Sequence, residues 1–173
     1  MSTNNILKKL EEITDHYIVE LNRYSPEQLK LKPSSEEWSI GQLYHHLIDS
    51  IHSTLLPAIE NCMNRDQETT EGKTADGEEI FNIGEFPPTR IKVPGRPQPI
   101  NSNNREDIKK LMTQAIEKVK NLEPHLPSIL STYKSPHPRY GYLTATEWVQ
   151  LSDMHFRHHL RQKKRLDEWL FDK

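Results

Sequence analysis

The sequence predicts an all-α fold: an up-and-down four-helix bundle with a long irregular segment between the second and third helices. Three observations predict it. Four stretches place apolar residues at every third or fourth position, proline-rich connections separate them, and no stretch alternates apolar and polar residues as a strand would. At 173 residues the chain has the length of one domain, 1–173, long enough to bury a core. Four amphipathic helices bury their apolar faces most simply against one another.

The first helix is expected over roughly residues 3 to 23, with Ile6, Leu10, Ile13, Tyr17 and Leu21 on one face. Ser25-Pro26 stops it, because proline lacks a backbone donor and restricts the residue before it. The second begins at Ser39, where Ser39 and Gln42 match the S-x-x-Q form of a capping box. Its stripe is Ile40, Leu43, Leu47, Ile51 and Leu55, and it is expected to run past Pro57 to about Arg65.

From Gln67 to about Asn103 the periodicity vanishes, and four glycines (Gly72, Gly77, Gly84, Gly95) and five prolines (Pro87, Pro88, Pro94, Pro97, Pro99) fall in this stretch. So long an irregular segment is uncommon in a compact domain and tends to be functional. A covering segment is expected here, with a short ordered piece around Ile80 to Phe86. The third helix is expected from Arg105 to Leu122, its apolar face formed by Ile108, Leu111, Met112, Ala115, Ile116 and Val119. Pro124, Pro127, Pro136 and Pro138 then mark an extended connection. The fourth helix opens with Thr144 and Glu147, a second capping-box match, and runs to about Leu170.

Composition excludes several classes. Charged residues make up 28% and hydrophobic ones 34%, so the chain is polar without being disordered in composition. The net charge of −2 offers no global attraction for nucleic acid. The basic run Arg157 to Arg165 is broken by histidines and reads as a solvated helix flank. A single cysteine, Cys62, leaves no intrachain disulfide and fits a reducing compartment. Residues 1 to 10 lack the apolar core of a secretion signal, and no stretch approaches the ~20 apolar residues that cross a bilayer. Neither nucleic acid nor membrane is expected as a partner, and a cytoplasmic location is.

The chemistry is carried by histidines. The inward face of the fourth helix traces Trp148, Leu151, His155, His159, Gln162, Leu166 and Trp169, so three polar side chains interrupt an apolar stripe. Burying such groups without partners costs about 1–3 kcal/mol each. His155 and His159, four residues apart, stack on one face and can aim at one point. A third imidazole from another helix would complete a three-nitrogen site for Zn²⁺, Ni²⁺ or a similar ion, with positions open to water or substrate. In the second helix, His46 lies on the flank of the core stripe while His45 and His52 point elsewhere, and periodicity leaves the third ligand open. Self-contained hydrogen bonding among the histidines is the competing account.

Other candidates fall away. Cys62 lies sixteen residues beyond His46, about 24 Å along a continuous helix at ~1.5 Å per residue, too far to share an ion. His16, His125 and His137 are isolated and read as surface or hydrogen-bonding residues, and His158 as facing a flank. The sequence has no phosphate-binding glycine loop, G-x-S-x-G elbow or H-E-x-x-H motif.

Three pieces resemble one family. Trp38-Ser39-Ile40-Gly41-Gln42 with His46 eight residues after the tryptophan, Gly141-Tyr142-Leu143-Thr144-Ala145-Thr146-Glu147-Trp148, and His155-x-x-x-His159-Leu160-x-Gln162 together resemble the DinB/YfiT-like superfamily of metal-binding four-helix bundles. That superfamily includes metal-dependent hydrolases and thiol-dependent S-transferases. The resemblance spans roughly residues 1 to 172. It implies His46, His155 and His159 as metal ligands, nickel or zinc as the ion, and a homodimer. Gln162 takes no ligand role and is expected to orient the site from behind. The segment from Gln67 to Asn103 matches nothing in the family pattern, and substrate contacts are expected there.

The implied function is a divalent-metal-dependent enzyme acting on a small-molecule substrate, by S-transfer with a low-molecular-weight thiol co-substrate or by hydrolysis. Metal binding brings the pKa of bound water to ~7, and it favours the thiolate of a thiol. Asp49, three residues after His46, is the nearest carboxylate in helical register and the candidate proton acceptor or partner of His46. A non-catalytic metal-binding or interaction bundle is the alternative.

Overall fold

The computed structural model describes residues 3–65, 68–88 and 97–172. Met1, Ser2, Gln67, Pro94, Gly95 and Lys173 lie outside the described residues. The chain is mostly helical, with one short antiparallel hairpin.

Helix α1 covers Thr3–Glu20 and tightens into a 3₁₀ turn over Leu21–Arg23, with Ile6, Leu10, Ile13, Tyr17 and Leu21 all buried as its spacing predicts. Ser25-Pro26 ends it and also starts a helix that the sequence reading did not anticipate, α2 at Pro26–Lys30. The Ser25 hydroxyl accepts from the Gln28 amide while the Gln28 side chain accepts from the Ser25 amide, and Pro26 at the first position needs no donor.

The next column begins at α3, Ile40–Ser50, closed by the reciprocal Ser39–Gln42 box at 3.0 and 3.1 Å. It passes through a π-helical turn, Ile51–Leu55, into α4, Leu56–Met63. Pro57 explains the widened turn, because proline in a helix removes a donor and crowds the carbonyl four residues back. The column therefore survives its proline and ends two residues short of the expected Arg65. Its stripe Ile40, Leu43, Leu47, Ile51 and Leu55 is fully buried.

The irregular segment holds more order than its composition suggests. Helix α5, Ala75–Ile83, is capped by the Thr74 hydroxyl and ends on Gly84 in the left-handed region at φ 81°. The ordered piece thus starts five residues before the expected Ile80. Helix α6, Arg105–Lys120, buries Ile108, Met112, Ala115, Ile116 and Val119, but Leu111 is 36% exposed and belongs to the outer face.

Strands were not expected, and two occur among the described residues. β1 (Ser135–His137) pairs antiparallel with β2 (Gly141–Leu143). Three residues per strand are too few for alternation to show. Gly141 takes φ 81°, and a side chain there would lie 2.6 Å from the Gly72 carbonyl and 2.7 Å from the Thr74 amide. That close approach fastens residues 72–74 to the hairpin, with Tyr142 N donating to Gly72 O and Thr74 N to Tyr140 O. Helix α7, Ala145–Phe171, follows under the Thr144–Glu147 box.

Helix α1 packs against α7 and α6, α3 against both α6 and α7, and α4 against α7. Three aromatic rings tie the centre. Tyr17 meets Tyr44 and Phe156 edge-on at 5.5 and 5.8 Å. Its hydroxyl donates to the Phe156 carbonyl at 2.9 Å, and the Tyr44 hydroxyl donates to the Tyr17 carbonyl at 2.7 Å. Both phenols are buried and satisfied, so α1, α3 and α7 are locked one residue away from His45 and His155. Among the described residues, no helix is long and apolar enough to cross a membrane.

Candidate metal centre

The histidines converge as the periodicity of α7 predicts. His155 and His159 share one face of α7, and α3 brings His46 opposite them. Nε2 of His155 lies 3.1 Å from Nε2 of His46 and 3.1 Å from Nε2 of His159. All three donor atoms fall within 4.8 Å of one another. His46 is buried, and His155 and His159 are half-buried.

The donor set fits a divalent ion. Two nitrogens bound to one zinc at ~2.0–2.1 Å lie about 2.8–3.4 Å apart for angles between octahedral and tetrahedral, and both 3.1 Å separations fall in that range. The third pair lies within 4.8 Å. Imidazole suits zinc and nickel alike, so the donors do not choose between them.

Gln162 contacts His159. His159 Nδ1 and Gln162 Oε1 are 3.0 Å apart, and an amide oxygen only accepts, so Nδ1 carries the proton. In its neutral form, His159 then turns an unprotonated Nε2 toward His155. Trp38 supports the other side, with its ring centre 5.0 Å from that of His46 and 6.4 Å from that of His159, nearly parallel to the latter at 12°. Its fixed place eight residues before His46 was the available signal.

The irregular segment reaches the site through Phe86, which sequence reasoning missed because nothing periodic surrounds it. Its ring lies 6.5 Å from His155, 5.8 Å from His158 and 5.9 Å from Tyr140. Arg161 pins this stretch to α7, donating to the Phe86 carbonyl at 3.1 Å and pairing with Glu85 at 3.3 Å. On the far side, Gln98, Pro99 and Asn101 return to the start of α3. Gln42 donates to the Pro99 carbonyl, and the Ser39 hydroxyl donates to Asn101 at 2.7 Å. Gly41 permits this approach, since a side chain there would lie 2.2 Å from the Ser102 carbonyl.

The remaining candidates are not part of the three-imidazole group. Asp49 is exposed, and its charge acts on His45 and His52. His45 is 7% exposed, and its Nε2 has no hydrogen-bond partner among the described residues. Burial lowers its pKa, partly offset by Asp49. His16 and His125 are exposed, whereas His137 accepts from the Arg139 and Tyr140 amides through Nδ1. Cys62 is buried, and burial pushes its thiol up to about 11, which leaves it protonated near neutrality.

The basic run of α7 needs one correction. Lys163 does not lie on a solvated flank: it is 4% exposed, donates to Glu20 at 2.9 Å and Asp167 at 2.8 Å, and sits over the Tyr24 ring. The partner carboxylates come from α1 and from one turn further along α7.

The family model of the DinB superfamily matches residues 7–162, a span that contains all three histidines and Gln162. A protein of Bacillus subtilis (strain 168), "Uncharacterized protein YuaE", is 28% identical over 154 residues, covering 86% of this chain and 89% of its own.

Proposed function

The chain belongs to the DinB superfamily, and on that footing we propose that it is a divalent-metal-dependent enzyme whose ion is held by His46, His155 and His159. The observation that carries this reading is the convergence of three Nε2 atoms, two separations being 3.1 Å, at the junction of α3 and α7. The helical columns α1, α3–α4, α6 and α7 form an up-and-down four-helix bundle over a single domain, 1–173. The protein works as a cytoplasmic homodimer on a small-molecule substrate.

A divalent ion in this site, zinc or nickel, supplies a Lewis acid that favours the deprotonated form of a water or a thiol. The chain's own residues do the rest. Gln162 holds the proton of His159 on Nδ1, keeping the facing nitrogen basic. Trp38 and Phe86 flank the histidines with apolar rings that limit water at the mouth. Asp49, exposed on α3, is the candidate for receiving a proton. Of the two chemistries we favour S-transfer with a low-molecular-weight thiol, on the family resemblance. Cys62, buried and protonated, takes no part.

The test pairs two reactions. Zinc- and nickel-loaded protein is given 1-chloro-2,4-dinitrobenzene with and without cysteine or glutathione, and separately p-nitrophenyl acetate without thiol. In the first, the thiolate sulfur bonds to the ring carbon and chloride leaves with the bonding pair, the thiol proton passing to solvent. Thiol-dependent turnover that disappears in His155→Ala supports S-transfer. Turnover of the ester alone, equally lost, supports the hydrolase. Neither reaction exceeding metal-free protein overturns the enzyme reading in favour of a non-catalytic bundle.

A further inference from the structure

Beside the three histidines lies a cleft of about 260 Å³ lined by Ile83, Glu85, Phe86, Arg157, His158 and Arg161, among others. Two of its lining rings, Phe86 and His158, neighbour the histidine site. Phe86 touches both His155 and His158, and the His158 ring lies 5.7 Å from that of His159. Its chemistry differs from that of the site: two guanidinium groups at i and i+4 on α7, an imidazole, and an apolar wall of Phe86 and Ile83.

We propose that this cleft is a carboxylate-binding subsite, which holds the anionic end of a small organic acid while its other end faces the histidines. Three observations support it. Arg161 already holds a carboxylate, that of Glu85 at 3.3 Å, in an exposed pair that solvent screens, so an incoming carboxylate has little to displace. Arg157 also lines the cleft, its guanidinium held by Asp153 at 2.8 Å and by the Lys9 carbonyl at 3.4 Å, so the fork offered to a ligand is that of Arg161, whose geometry and charge match a carboxylate. His158 lines the cleft, and its Nδ1 is buried without a hydrogen-bond partner among the described residues, a hydrogen-bonding capacity no described residue uses. The ring of a ligand would lie against Phe86. The inference rests on the metal-centre reading only for which end of the ligand faces the histidines.

The test is a titration of benzoate into the full-length protein, metal-free and zinc-loaded, followed by ¹H–¹⁵N nuclear magnetic resonance, with benzamide as the uncharged match. Saturable shifts confined to the 83–86 and 157–161 amides are expected for benzoate and not for benzamide. Binding should weaken at least fivefold in Arg161→Gln, and Arg161→Lys, which keeps the charge but not the planar fork, should recover only part of that loss. Glu85→Gln removes the internal competitor and should tighten binding at least twofold. If Arg161 and Glu85 merely pin the segment in place, Glu85→Gln loosens it and weakens binding instead, which overturns the proposal. So does an absence of saturable shifts, or an equal response to benzamide. Zinc content measured on the same samples separates the two readings. Benzoate binding without zinc uptake leaves the subsite standing and removes the metal centre. Zinc uptake without benzoate binding removes the subsite alone.

Discussion

Gln162 and His159 stand three residues apart on α7, and the 3.0 Å hydrogen bond between them decides which nitrogen of His159 faces the other imidazoles. With the proton held on Nδ1, His159 has no Nε2–H to donate to His155, 3.1 Å away. A hydrogen-bonded cluster of neutral imidazoles must then rely on a single His155 proton shared in two directions. Three lone pairs around a cation avoid that conflict.

Replacing Gln162 with Leu should therefore weaken metal binding by roughly 10–100-fold, the usual effect of losing a partner behind a histidine ligand. Gln162→Glu, which keeps an acceptor, should recover most of the loss. Competition with a chromophoric chelator measures both, with circular dichroism to follow the fold. Equal affinity in wild type and Gln162→Leu would show that the amide orients nothing.

The legible parts of the chain were those with long-range regularity. α1, the α3–α4 column, α6 and α7 declare themselves because a three-to-four spacing repeats over several turns and capping boxes mark Ser39 and Thr144. α2 is five residues long, and α5 is capped by Thr74 and sets Gly77 against the Tyr140 carbonyl, a tertiary contact that leaves no period. In the site, His155 and His159 were readable from their i, i+4 spacing, whereas His46 needed the family resemblance. Phe86 was not readable, since its contacts depend on how residues 68–88 fold back. Lys163 was misread because its acceptor Glu20 lies 143 positions away.

Lys163 should matter to stability more than any other charge on α7. Lys163→Met leaves Glu20 and Asp167 facing each other, with Arg23 at the edge and the Tyr24 hydroxyl on Asp167 to compensate. Breaking a fully buried pair costs about 3–5 kcal/mol, and partial hydration of the carboxylates brings the expected loss to about 2–4 kcal/mol in urea unfolding. A loss below about 1 kcal/mol would mean the network is as weak as a surface pair.

Acid should act through Glu147. Burial pushes its carboxyl up, but Lys73 at 2.5 Å together with the Thr144 amide and hydroxyl pulls it below the ordinary 4.5. The folded state thus releases the proton more readily than the unfolded chain. The resulting stability is complete above about pH 4.5 and is lost as pH falls through the lower folded value. The stability difference between wild type and Glu147→Gln should be constant from pH 7 to 5 and shrink below 4.5 in urea unfolding at stepped pH. A difference that grows on acidification would reverse the sign.

The most direct test of the central claim is metal stoichiometry by inductively coupled plasma mass spectrometry, on protein purified without an affinity tag. Wild type is compared with His46→Ala, His155→Ala and His159→Ala after identical loading with zinc or nickel. The account predicts about one ion per chain in the wild type, lost in each variant while circular dichroism reports an intact fold. No tightly held ion in the wild type, or binding unchanged by all three substitutions, would contradict it and leave the histidines as hydrogen-bonded core residues.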